Sequence, residues 1–216
     1  KEFEKYKTPS EDTETVDNRP DNPIDFKALK SDCADVIGWL TVNDTVIDYP
    51  ILQSSPEKEE DFYLSKDMKG NYLKKGCIYI QRCNSGDFSD PNTVIYGHNM
   101  KNGSMFGTLK KFRNKKYFNE HRNIRVCIPN HILDYEIVSA FVYDDRHIIN
   151  AFNFFQDEEY QKFIDACLNP KSLVKNVVKD ATITTEDRII TLSTCTSNKG
   201  ERYLVVAKLI KDTETK

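Results

Sequence analysis

From Gly38 onward the chain divides into seven or eight short segments with the pattern of β-strands, and these do not alternate with helices as a parallel α/β sheet requires. W-L-T-V and T-V-I-D-Y-P-I-L flank an N-D turn. G-C-I-Y-I-Q and T-V-I-Y-G alternate apolar and polar positions. I-R-V-C-I and I-L-D-Y-E-I-V-S-A-F-V meet at Pro129-Asn130, and two more segments fill 188–194 and 202–210. Many short strands with turn residues between them predict a closed, mostly antiparallel barrel.

Helical patterns are few. Asp25 opens one, with Phe26, Leu29, Cys33 and Val36 at three- and four-residue spacings, and G-S-M-F-G-T-L-K-K-F reads as another short helix. Asp157 to Leu168 is the clearest: Tyr160, Phe163, Ile164 and Cys167 share one stripe, and Asn169-Pro170 ends it. Residues 1–23 are charged, interrupted by proline and poor in apolar groups, so they read as a hydrophilic tether or N-terminal arm, with one folded domain over 24–216. Fully extended, such an arm reaches on the order of 70 Å.

The charge and cysteine content exclude several function classes. A formal net charge of −3 gives no reason to expect nucleic acid. The run Lys110 to Lys116 reads as a solvated helix face. No run of 18 apolar residues is present, so this sequence contains no membrane-spanning helix. Six cysteines in 216 residues are too sparse for a disulfide framework. No C-x-x-C, H-x-x-x-H or calcium-loop spacing occurs, so neither a metal nor another cofactor is expected.

One cysteine stands apart from the rest. In T-L-S-T-C, Cys195 ends a strand, a polar loop (196–201) follows, and Arg202 opens the next strand. Ser193 and Cys195 fall on one face of their strand. The hairpin can bring a guanidinium across from the thiol, where it donates fixed, charged hydrogen bonds. A thiol nucleophile also needs a general acid. His98, after the apolar strand and glycine of T-V-I-Y-G-H-N-M, has the context of a placed side chain, whereas His121, His131 and His147 read as solvated.

T-L-S-T-C, the arginine opening the last strand, Y-G-H-N-M-K-N-G-S-M-F-G-T-L, G-W-L-T-V-N-D-T-V-I-D-Y-P-I-L-Q, D-F-Y-L-S-K-D and G-C-I-Y-I together resemble the class B sortases, the cysteine transpeptidases of Gram-positive cell surfaces. The resemblance covers most of the chain. It implies an eight-stranded sortase-type barrel with N-terminal helices and a helix between strands six and seven. It further implies that Cys195 attacks the threonine carbonyl in the C-terminal sorting motif of a secreted protein. His98 protonates the leaving amine, Arg202 holds the oxyanion, and a cell-wall peptide amine resolves the thioacyl enzyme. Leu64 in F-Y-L and Ser193 fall where the family's groove contacts the sorting peptide. Thr196 stands where some relatives carry an acid and is assigned no role.

The same resemblance implies an N-terminal membrane anchor ahead of Lys1 and a place at the outer face of the membrane of a Gram-positive cell. Two other readings use the same residues. One is a cysteine peptidase that acts mainly as a hydrolase. The other is a non-enzymatic surface module whose Cys195 is a buried structural thiol.

Overall fold

The computed structural model describes residues 3–7 and 18–216. Nine strands are found there: β1 (Val36–Val42), β2 (Asp48–Gln53), β3 (Ile78–Ile80), β4 (Asn92–Tyr96), β5 (Asn123–Ile128), β6 (His131–Asp144), β7 (Lys175–Val177), β8 (Ile189–Cys195) and β9 (Glu201–Glu214). They hydrogen-bond in the order β5-β1-β2-β3-β4-β8-β9-β6, and β6 pairs back with β5, closing a barrel of eight. Every neighbouring pair in that ring is antiparallel except β2–β3 and β4–β8. The barrel is therefore mixed.

Strand β6 carries much of the closure. One edge pairs with β9 along its whole length; the other takes β5 at residues 131–136 and β7 at 139–141. Register shifts between Asp134 and Tyr135 and between Ile137 and Ser139 bend the strand, as the curvature of a small barrel requires. Asn130, at φ 67°, makes the tight turn from β5 into β6.

Both faces of several strands are apolar, and three clusters account for this. Leu40, Ile51, Ile80, Ile95, Leu192 and Val205 point into the barrel. Outside it, helix α4 (Asp157–Leu168) lays Tyr160, Phe163, Ile164 and Cys167 over Val94, Phe141, Ile189, Leu204 and Val206. The sequence stripe of α4 and its position after the sixth strand are thus both observed. Phe163 is fully buried, with Phe152 and Phe154 rings at 5.3 and 5.2 Å. Phe163→Ala should lower stability by about 3–5 kcal/mol through lost burial and an unfilled cavity, read from the midpoint of urea unfolding.

The third cluster lies on the opposite wall, under α1 (Phe26–Asp32). Asp25 caps this helix by accepting from the Ala28 N–H at 2.9 Å. The spacing predicted a helical stripe reaching Cys33 and Val36. Both are buried, but Cys33 is already extended and Val36 opens β1. The β-branched pair Val36-Ile37 favours a strand, so that part of the spacing records core burial and not helicity. Likewise G-S-M-F-G-T-L-K-K-F forms a 3-10 helix (Phe106–Arg113), which continues into α2 (Lys115–Glu120), capped by Asn114.

Of the expected arm, Phe3–Lys7 packs on the barrel, with Tyr6 buried and the Phe3 ring edge-on to Trp39 at 6.0 Å. Residues 8–17 lie outside the described residues.

Candidate active site

The site forms at the end of the barrel where β4, β6 and β8 finish and β3 and β9 begin. The parallel pairing of β4 with β8 sets Tyr96 beside Ser193, so the residues leaving each strand run on together. Gly97 N–H donates to the Ser193 carbonyl at 3.3 Å, and Thr194 Oγ1 donates to the Gly97 carbonyl at 2.7 Å. Asn99 Nδ2 donates to the Cys195 carbonyl at 2.9 Å. Topology thus brings His98 and Cys195 to one place across a long stretch of chain. A side chain at position 97 would run into Phe106 and Ile78, at 2.8 and 2.5 Å from its Cβ.

Antiparallel pairing of β8 with β9 sets Cys195 directly opposite Arg202, and Arg202 Nη1 donates to Cys195 Sγ at 2.9 Å. The turn between them is tied down. The Thr196 N–H donates to the Glu201 carbonyl at 3.3 Å, and Glu201 Oε2 accepts from Thr196 Oγ1 and Asn198 Nδ2 at 3.2 and 3.0 Å. Gly200, at φ 78°, completes the reversal. Thr196 therefore fixes the loop that carries the thiol.

His98 Nε2 lies 2.8 Å from the carbonyl oxygen of Leu64. A carbonyl has no hydrogen to give, so Nε2 carries the proton and donates it. That leaves Nδ1 as the ring nitrogen free to accept and return a proton.

His98, Cys195, Arg202, Leu64 and Ser193 all line one cleft of about 250 Å³. Leu64 is 41% exposed at its rim and Ser193 is buried in its wall. Cys195 is exposed, which removes the reading of a buried structural thiol. The other thiols differ from it. Cys33, Cys127 and Cys167 are buried, Cys77 is half-buried, and Cys83 is exposed. Burial pushes the Cys127 thiol up to about 12 and raises Cys167 further beyond the physiological range. Partial desolvation, and then the charge of Glu60, raise Cys83 as well.

Several lining groups were missed by the sequence reading. His147, read as a solvated residue, faces the cleft. It caps the short helix α3 (Ile148–Ala151): its Nδ1 accepts from the Asn150 N–H at 3.2 Å, so its Nε2 carries hydrogen and donates to Gln81 Oε1 at 2.6 Å. Gln81 Nε2 in turn donates to Asp61 Oδ1 at 2.8 Å, which also accepts from the Tyr79 hydroxyl at 3.1 Å. This chain ties α3 to the opposite wall and fixes the width of the cleft. Histidine is not among the residue types favoured at helix N-caps, so the sequence offered no signal for this role.

Tyr79 and Tyr96 stack at 5.5 Å between ring centroids on the cleft floor. Burial first, and then the Asp61 charge, hold the Tyr79 phenol far above its ordinary range; burial does the same for Tyr96, with Arg202 opposing in both. Both phenols therefore stay protonated donors. His121 and His131 lie elsewhere, paired with Asp44 and Asp212, each at 2.8 Å.

The sortase domain family matches residues 40–210. The chain is 35% identical over 182 residues to sortase B of Listeria monocytogenes, covering 82% of this chain and 70% of that one. It is 29% identical over 189 residues to sortase B of Staphylococcus aureus, covering 86% and 75%. Among solved structures, sortase B from Bacillus anthracis in complex with AAEK1 superposes with TM-score 0.75 at 36% identity, covering 91% of this chain and 89% of that one. Clostridium perfringens sortase B superposes with TM-score 0.76 at 31% identity, covering 86% and 100%. Barrel, strand order and sequence agree, and the chain belongs to the sortases: it is a class B sortase, a cysteine transpeptidase of the cell-wall sorting family.

Proposed function

We propose that this sortase cleaves the C-terminal sorting motif of a secreted protein after its threonine and joins that threonine to an amine of the cell-wall peptide. The Cys195 thiol gives its proton to His98 Nδ1, the thiolate adds to the threonine carbonyl, and the carbonyl electrons move onto oxygen. Arg202, with five N–H donors and a fixed charge, stabilises that oxyanion as it forms. The C–N bond then breaks, and His98 gives its proton to the departing amine. The resulting thioester is attacked by the wall-peptide amine, His98 takes the proton released, and Cys195 leaves as thiolate. Leu64 at the rim and Ser193 in the wall contact the sorting peptide. The work is done on the outer side of the membrane, where secreted precursors and wall peptides meet.

The observation that carries this reading is the 2.9 Å contact between the Arg202 guanidinium and an exposed Cys195 sulfur. No packing role needs a charged fork on a surface thiol, whereas a thiolate and an oxyanion both do. Further support comes from the Leu64 tie on His98, which leaves one ring nitrogen available for proton transfer.

The test is mass spectrometry of sorting peptides of the N-P-x-T-N and P-x-T-G types, incubated with the protein and either a glycine-terminated peptide or a diaminopimelate peptide as acceptor. The expected product is the peptide cut after threonine and bearing the amine. Hydrolysed acid alone, with every acceptor, would make the protein a peptidase that uses water.

A further inference from the structure

We infer that Gly76 is a positioning residue for His98, acting through the carbonyl group of Leu64. The inference rests on the reading that His98 handles the catalytic proton. Leu64 ends a 3-10 turn (Phe62–Leu64), where the last carbonyls have no partner within the turn. The chain then loops outward and returns, with a bridge between Lys66 and Tyr72, so that Gly76 and Cys77 come back under the turn. The Cys77 N–H donates to the Tyr63 carbonyl at 2.9 Å, and the Gly76 N–H to the Leu73 carbonyl at 2.8 Å. The neighbouring Leu64 carbonyl is left facing His98 Nε2.

Gly76 holds φ +53°, and a Cβ built on it would stand 2.4 Å from the Leu64 oxygen, 2.5 Å from the Tyr63 oxygen and 2.7 Å from the Leu64 carbonyl carbon. These are backbone atoms, which cannot swing aside as the tip of a side chain can. Any side chain at this position must push the Leu64 carbonyl away from the histidine or push the returning strand outward. Gly76 opens G-C-I-Y-I, so a backbone requirement of the family-like motif becomes a requirement of the proton carrier. The hydrogen bond it protects fixes both the orientation and the tautomer of the ring, as a second partner does for a catalytic imidazole.

Gly70 supplies the control. It lies in the same loop, also at positive φ (+82°), but a Cβ there meets only Phe62 Cζ at 3.5 Å. Gly70→Ala therefore imposes backbone strain without touching Leu64.

The experiment compares wild type, Gly76→Ala and Gly70→Ala by steady-state kinetics on a sorting peptide and by nitrogen-15 NMR of the histidine rings, with His98→Gln assigning the signals. Wild type is expected to show His98 protonated at Nε2. Gly76→Ala is expected to lose that single tautomer, with kcat lower by on the order of 100-fold, the cost of about 1 Å of misplacement, and a much smaller change in KM. Gly70→Ala is expected to keep both. A Gly76→Ala protein with wild-type ring signals, or a Gly70→Ala protein that loses as much kcat, overturns the inference. If Gly76→Ala does not fold, the wild-type ring decides: a proton on Nδ1 with Nε2 bare is enough to overturn it. Failure of the wild type to turn over any peptide sinks the transpeptidase reading instead, while the ring signals still test the tie to Leu64.

Discussion

Cys195→Ala should leave turnover of a sorting peptide at background, a loss on the order of 10⁴-fold or more, because no other group at the site can hold the acyl chain. His98 and Arg202 remain in the mutant, but a proton carrier and an oxyanion donor act on a bond that some nucleophile must first attack. Intact-protein mass spectrometry separates the steps. Wild type mixed with peptide and no amine should gain the mass of the acyl fragment, and the mutant should gain nothing. The fold should not suffer, since Cys195 is exposed at a strand end and truncating a surface side chain shifts stability by no more than about 0.5 kcal/mol. An adduct that persists in Cys195→Ala would move the nucleophile elsewhere. Cys83 would be examined first, being the other exposed thiol, although its surroundings disfavour the thiolate.

The ease of finding Cys195 in the sequence, and the difficulty of finding its neighbours, have the same physical origin. Cys195 and Arg202 are joined by one short turn, so strand alternation and an antiparallel hairpin were enough to set them face to face. His98 could be singled out by its place after a strand and a glycine. The reason it reaches Cys195 could not be read, because that depends on the parallel pairing of β4 with β8, strands far apart in the chain. Hydrophobic alternation shows that a segment is a strand and which face is buried. It does not show which strand lies beside it.

The wall of Asp61, Gln81 and His147 was hidden for the same reason, since each comes from a different part of the chain and carries no motif. Burial also misled in one place. Leu29, Cys33 and Val36 are all in the core beside α1, so a periodicity that tracks burial extended the helix by a turn that the β-branched pair at 36–37 does not permit. Gly76 shows a further limit. Its glycine is visible in the sequence, but its consequence lies in a carbonyl that only the folded loop brings near.

Removing Arg202 should have the second largest effect. Arg202→Ala is expected to lower kcat by about 10²–10³-fold, the usual cost of one oxyanion donor, with KM changing far less. The asymmetry follows from where the charge is needed. A neutral peptide carbonyl gains little from a guanidinium, whereas the tetrahedral oxyanion gains a full charge interaction in a cleft whose floor is the stacked pair of buried Tyr79 and half-buried Tyr96. Arg202→Lys tests whether charge alone is sufficient. An ammonium group has no planar fork and cannot reach sulfur and oxyanion with parallel N–H bonds, so it should recover only part of the loss. Single-turnover acylation, followed by the fragment mass on Cys195, is the measurement that isolates the step. If Arg202→Ala raised KM and left the acylation rate at saturation unchanged, the guanidinium would be holding the substrate in its ground state. The 2.9 Å contact to sulfur would then mark a binding group whose energy is already expressed before the carbonyl is attacked.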